Sequence, residues 1–229
     1  MTNKIDFTFG IITSPTSCGF LQKIVDSISD ENIPNYEIII IGGDSAHESE
    51  NLTVVPFDDS AKPMWITKKK NIITDMARYE NIVYLHDYIQ LSSGWYRGFL
   101  QYGNNFQVCM TQIKNLSGGR YRDWTLWAED AKFLNNIEFL IPYSMTHLSK
   151  LMYISGAYWV AKKSIMEIYR LDEELSWGGG EDVKWSKQIR EKYQFSMNEH
   201  SSVELLKEKD PIFSISTQPT IDILNNITL

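Results

Sequence analysis

Phe7 to Thr13 reads Phe-Thr-Phe-Gly-Ile-Ile-Thr and stops at Ser14-Pro15; Tyr36 to Ile41 is a second apolar run that stops at Gly42-Gly43-Asp44-Ser45. Between them Phe20, Leu21, Ile24, Val25 and Ile28 recur at helical spacing over Cys18 to Ile28. Runs that are apolar along their whole length suit strands covered on both faces. An amphipathic helix between two of them provides the cover and the crossover that parallel pairing requires. The pattern continues with strands at Leu52–Phe57, Asn81–Leu85 and Phe106–Ile113, the last near the middle of the sheet. Met152–Ala161 is strand-like with a Ser-Gly-Ala interruption, and helices are expected from Ile72, from Gly94-Trp95-Tyr96, over Lys162–Leu171 and over Val183–Tyr193. At 229 residues one substantial core is the default. The predicted fold is α/β: a single-domain, Rossmann-like mixed, mostly parallel sheet flanked by helices.

In such sheets ligands bind outside the carboxyl ends of the strands. Thr13, Ser14, Gly43, Asp44 and Ser45 fall on that edge, although plain turn chemistry uses the same residue types. Lys68-Lys69-Lys70-Asn71 leads into a helix, where cations oppose the dipole unless an anion is near. A nucleotide diphosphate would be such an anion, and a solvated basic turn is the alternative. His86-Asp87-Tyr88 stands where the Asn81–Leu85 strand ends. A formal charge of −7 excludes a broad nucleic-acid surface, so a phosphate-bearing substrate needs a local solution: a metal ion or a few placed lysines. Two distant cysteines, Cys18 and Cys109, imply neither a disulfide framework nor a cysteine-rich metal site.

Trp177-Gly178-Gly179-Gly180-Glu181-Asp182 is the most unusual stretch. Three glycines weaken helix and strand alike and let something approach the backbone closely. The acidic pair opens a helix, whose positive end favours ionised carboxylates able to accept a proton or bind a cation. An aromatic platform, a glycine hinge and a fixed carboxylate suit a sugar; a glycine loop with an acidic helix cap uses the same residues.

This run, with one glycine more, resembles the Trp-Gly-Gly-Glu-Asp signature of the β-1,4-galactosyltransferase family and related glycosyltransferases with the A-type (GT-A) fold. The resemblance implies Asp182 as catalytic base, Glu181 orienting the acceptor hydroxyl, and Trp177 with Gly178, Gly179 and Gly180 against sugar. The order of parts upstream resembles the same enzymes. A Lys/Asn helix (Lys69, Lys70, Asn71) precedes an apolar strand and then a short acidic motif at Asp87, where the family commonly has Asp-x-Asp. Ser155-Gly156-Ala157 resembles the small-residue turn that lets the donor sugar lie against backbone, which implicates Gly156. Met197-x-x-His200 resembles the segment whose His completes the metal site.

The resemblance therefore implies a nucleotide site built from Thr13, Ser14, Asp44, Lys69, Lys70, Asn71 and Asp87, and Mn2+ (or Mg2+) held by Asp87 and His200. The implied partners are a nucleotide-sugar donor, UDP-linked by preference, and a carbohydrate acceptor, with no nucleic acid. Residues 1–114 are expected to form the nucleotide-binding half, 115–204 the acceptor-binding and catalytic half, and 205–229 a tail. Residues 115–142 read as a loop and short helix, with Arg120 and Arg122 solvated or facing an anion. No run approaches the roughly 20 apolar residues of a membrane span, and the opening residues do not resemble a signal peptide. The expected location is cytoplasmic. A catalytically idle sugar-nucleotide or glycan-binding domain and a retaining transferase of the same fold are the alternatives.

Overall fold

A computed structural model describes residues 4–14, 19–43, 47–48, 50–127, 138–175, 177–210, 212 and 218–227. The opening unit is strand β1 (Phe7–Ile12), helix α1 (Leu21–Ser29) and strand β2 (Tyr36–Gly43). Next come β3 (His47–Glu48), β4 (Leu52–Pro56), helix α2 (Ile66–Met76), β5 (Asn81–His86), β6 (Ile89–Leu91), helix α3 (Trp95–Tyr102) and β7 (Val108–Lys114). The remainder is β8 (Thr125–Trp127), β9 (Glu138–Leu140), a 3₁₀ helix (Thr146–Leu151), β10 (Met152–Tyr153), β11 (Tyr158–Lys162), α4 (Lys163–Ile168), α5 (Glu181–Arg190), β12 (Ser196–Leu205) and α6 (Gln218–Asn225).

Among the described residues nine strands form one sheet in the order β3-β4-β2-β1-β5-β11-β7-β12-β6. The block β4-β2-β1-β5 is parallel throughout, and β7 runs parallel to β12. β11 enters antiparallel between β5 and β7. This is the predicted mixed α/β sheet, and parallel pairs hold most of its register. Both faces are covered, which is why β1 is buried along its length. On one face Phe7 meets Trp95 of α3 edge-on at 5.0 Å, and Trp95 lies 4.4 Å from Phe99. The Trp95 indole N–H is not stranded there: it donates to the Tyr158 hydroxyl at 3.0 Å, joining α3 to β11.

Two expectations need correction. Met152–Ala161 is not one interrupted strand: β10 joins β8 and β9 in a separate three-stranded sheet, while β11 belongs to the large one. Residues 154–157 between them form the turn that shapes the site. The stretch 115–142 contains strands β8 and β9, not a short helix, among its described residues. Arg120 there forms a two-point ion pair with buried Asp123, and Arg122 pairs with Glu138. No helix among the described residues is long and apolar enough to cross a membrane.

Candidate functional site: a cleft between strand ends and a helix N-terminus

One wall is built by register. Parallel pairing sets Ile12 level with His86, so the residues just beyond each strand, Thr13 and Asp87, emerge side by side. The Thr13 hydroxyl donates to Asp87 Oδ2 at 2.8 Å. Both residues line a cavity of about 280 Å³ with Ser14, Lys69, His86 and Tyr88. This is the carboxyl edge of a parallel sheet, where the sequence placed Thr13, Ser14 and Asp87. Asp44 lies outside the described residues.

Two of the three lysines of α2 pair with anions, but these belong to the chain. Lys68 pairs with Glu173 at 2.9 Å, and Lys69 with Asp59 at 2.8 Å while also donating to the Thr13 carbonyl at 2.6 Å. Lys69 is 2% exposed, so its ammonium braces the end of β1 at the cavity wall. Asn71 is spent on structure. Its amide oxygen accepts from Leu171 N–H at 3.1 Å, and its NH₂ donates to Leu171 O and Glu173 Oε1.

The second wall is the turn at residues 155–157 with the N-terminus of α5, which adjoins the cavity through His86, whose backbone N–H donates to the Ala157 carbonyl at 3.0 Å. Gly180, left-handed at φ 72°, lets the glycine run turn into the helix, whose first two residues are Glu181 and Asp182. Asp182 Oδ2 accepts from the Gly156 N–H at 2.8 Å and Oδ1 from the Val183 N–H at 2.9 Å. The carboxylate thus has a fixed orientation at a helix dipole's positive end. A Cβ at Gly156 would stand 3.0 Å from Asp182 Oδ2 and 3.1 Å from Glu181 Oε1, so only glycine leaves this approach unhindered. Helix α5 is docked behind the pair: Ser186 Oγ accepts from Ile154 N–H, and Arg190 donates to the Met152 carbonyl. Burial, then the neighbouring Asp182, raises the Glu181 pKa, opposed by Lys70. Trp177 is 60% exposed beside this turn. Gly179 and Gly180 line a separate groove that also includes Trp127.

Lys70 connects the walls. Its ammonium donates to the Gly156 carbonyl at 2.6 Å and sits 4.5 Å from the centre of the Trp159 ring. Burial draws its pKa down to about 8, against the opposing pull of Glu181 and Asp182. From there to the ordinary value of 10.5 the unfolded chain holds a proton that the folded chain has released, so stability rises with pH across this window. Below the window the folded protein bears the cost of a buried ammonium. Urea melts between about pH 7.5 and 10 should show wild type gaining about 2 kcal/mol on Lys70→Met. Parallel curves would show a solvated ammonium instead.

Tyr88 faces both walls. Burial raises its phenol pKa first, and the charges of Asp87 and Asp182 add to the rise, so one ring lies in the fields of both carboxylates. His86 beside it is held well below the ordinary imidazole pKa, by burial first and then by Lys70, Lys209 and Lys207. Its ring is neutral, and Nε2 is buried with no hydrogen-bond partner among the described residues.

His200 is not brought to this cleft. Strand β12 pairs antiparallel with β6, Val203 with Leu91 and Leu205 with Ile89. His200 falls in the bulge between Asn198 and Ser202, where that register does not extend, and it is not among the residues that line the cavity. His200 is exposed on the bulge of β12, its carbonyl so close to α3 that a Cβ on Gly98 would stand 2.3 Å away. The spacing Met-x-x-His was legible, but the bulge and strand direction were not.

What reaches Tyr88 instead is Lys207 and Lys209, just past the end of β12, in the stretch expected to be a tail. Leu206 N–H donates to the Tyr88 carbonyl at 2.8 Å. The two ammoniums lie 4.0 and 4.8 Å from the centre of the Tyr88 ring.

The donor set was tested against a divalent cation. Asp87 and His86 stand together, but Asp87 is engaged by Thr13, and no group of three or more His, Cys, Asp or Glu side chains that could hold an ion gathers among the described residues. Lys69 and Lys207 line the same cavity. Hard-cation sites are built from oxygen donors, and ammonium groups repel the ion, so these residues do not fit the Mn2+ or Mg2+ that the sequence implied.

No protein-family profile matches the sequence, and neither does any curated protein. Solved structures do match. GalNAc-T7, crystallised with UDP, GalNAc and Mn2+, superposes with a TM-score of 0.63 at 13% identity, over 91% of this chain and 45% of its own. TarS of S. aureus gives 0.59 at 12% identity, over 88% of this chain and 36% of that one. A TarS fragment, residues 1–349, gives 0.55 at 11% identity, over 96% and 63%. The chain spans less than two thirds of each. The narrower likeness to β-1,4-galactosyltransferases is carried by the Trp177–Asp182 motif alone. From sheet order, strand-end cleft and these superpositions together, the chain has the GT-A fold of the glycosyltransferases.

Proposed function

We propose that the chain transfers a sugar, with inversion, from a nucleoside-diphosphate donor, UDP-linked by preference, to a carbohydrate or other hydroxyl acceptor. The observation that carries this is Asp182, held by the Gly156 N–H at the edge of a cleft whose other wall is the Thr13–Asp87 strand edge. GalNAc-T7, of like fold, was crystallised with UDP and GalNAc. Residues 1–114 supply the nucleotide wall and 115–204 the acceptor wall. The acceptor oxygen bonds to the anomeric carbon, its proton passes to Asp182, and the bond from that carbon to the diphosphate oxygen breaks with the electron pair leaving on the diphosphate. Glu181 orients the acceptor hydroxyl, and Trp177 offers its exposed ring to a pyranose face. Proton transfer to the carboxylate can be late in such a transition state.

A catalytically idle nucleotide-sugar-binding domain is the second reading, favoured by His86-Asp87-Tyr88 in place of paired carboxylates. Incubation with UDP- and GDP-sugars, with and without glycan acceptors, separates the two. Acceptor-dependent release of nucleoside diphosphate supports the enzyme. Saturable binding of the donor with no release over hours supports the module.

A further inference from the structure

We propose that Lys207 and Lys209 take the place of the divalent cation, gripping the diphosphate of the donor at the mouth of the Thr13–Asp87 cavity. This rests on the nucleoside-diphosphate reading above and deepens it. The chain bends at residues 206 and 207 as it leaves β12. Glu208 accepts from the Ser117 N–H at 3.1 Å, while both lysine ammoniums lie against the ring of Tyr88.

The segment is fixed from two directions. Leu206 N–H bonds to the Tyr88 carbonyl, and Asn115 clasps the Lys209 backbone, donating to its carbonyl at 2.7 Å and accepting from its N–H at 3.1 Å. Two ammoniums are thereby held beside one another in a chain of net charge −7. Lys209 shows the strain. Its pKa is lowered by burial and then by the repulsion of Lys207 and Arg122, with Asp210 in opposition. A cluster of like charges is relieved by an anion bridging it, and a diphosphate carries charge enough to bridge both. Lys207 lines the cavity itself, as does Asp87. A divalent ion at that point would add to the repulsion.

The test is calorimetric titration of UDP and inorganic pyrophosphate into the full chain, in EDTA and in excess Mn2+ or Mg2+, with circular dichroism melts for every variant. UDP and pyrophosphate should bind in EDTA, with metal changing affinity less than about threefold. Lys207→Gln/Lys209→Gln should weaken both by about tenfold or more with an unchanged melt, and Lys207→Arg/Lys209→Arg should restore most of the affinity. The control Lys23→Gln/Lys192→Gln, which removes the same charge from exposed positions, should bind as wild type. Binding only in the presence of Mn2+ or Mg2+ overturns the lysine grip and leaves the transferase reading standing. Binding in EDTA that the double glutamine variant retains at full strength overturns it too. No UDP binding under either condition overturns the nucleotide reading, and this inference with it.

Discussion

Asp182→Asn should lower the transfer rate by about 10²–10⁴-fold, the contribution of a positioned general base, while UDP binds within about threefold of wild type. The substitution keeps volume and one oxygen, so the Gly156 N–H retains an acceptor and the turn at 155–157 keeps its shape. What is lost is the second lone-pair-bearing oxygen and the charge that would draw the acceptor proton. The cavity proposed for the diphosphate is lined from other parts of the chain, by Thr13, His86 and Asp87 at strand ends and by Lys207, so UDP binding is expected to be largely separate from this carboxylate. The measurement pairs initial rates at saturating donor with calorimetric UDP titration. Turnover at the wild-type rate would remove Asp182 from the chemistry, and lost UDP affinity would place it on the nucleotide wall.

Gly42→Ala should destabilise the fold by about 2–5 kcal/mol and weaken nucleotide binding in whatever fraction stays folded. Gly42, the next-to-last residue of β2, has φ 105°, a conformation that an L side chain strains to adopt. A Cβ there would stand 2.1 Å from the Thr13 carbonyl oxygen and 3.1 Å from Lys69 Nζ. The carbonyl is backbone in a strand paired on both sides, so it has no rotamer with which to escape. The Thr13 carbonyl is the acceptor that holds Lys69, and the Thr13 hydroxyl is what holds Asp87. A chemical-denaturation midpoint shift together with reduced UDP affinity is the expected pair of results. An unchanged midpoint would mean that β1 and β2 can slide apart at little cost.

The two variants divide what was legible in the sequence. The helix start at the acidic pair was legible because helix N-termini favour carboxylates; the bonds from the Gly156 and Val183 N–H groups that orient Asp182 are what the structure adds. Thr13 and Asp87 were legible singly, as strand-end residues. Their bond was not, because it depends on Ile12 standing level with His86 across a crossover. The lysines of α2 signalled an anion correctly but not whose. Asp59 and Glu173 lie far enough along the chain that only folding could bring them to Lys69 and Lys68. His200 and Lys207 are the sharpest case. His200 lies in the bulge of β12 with its carbonyl against α3, and Lys207, two residues past the end of that strand, lays its ammonium over the Tyr88 ring.

Hydrophobic periodicity by itself determined the layered α/β architecture, since which faces can be buried is a local property of the chain. Which polar side chains share a cleft was decided only in the tertiary structure, because strand order, register and a single bulge are set by the packing of segments remote from one another, and a shift of one residue exchanges every side chain between faces.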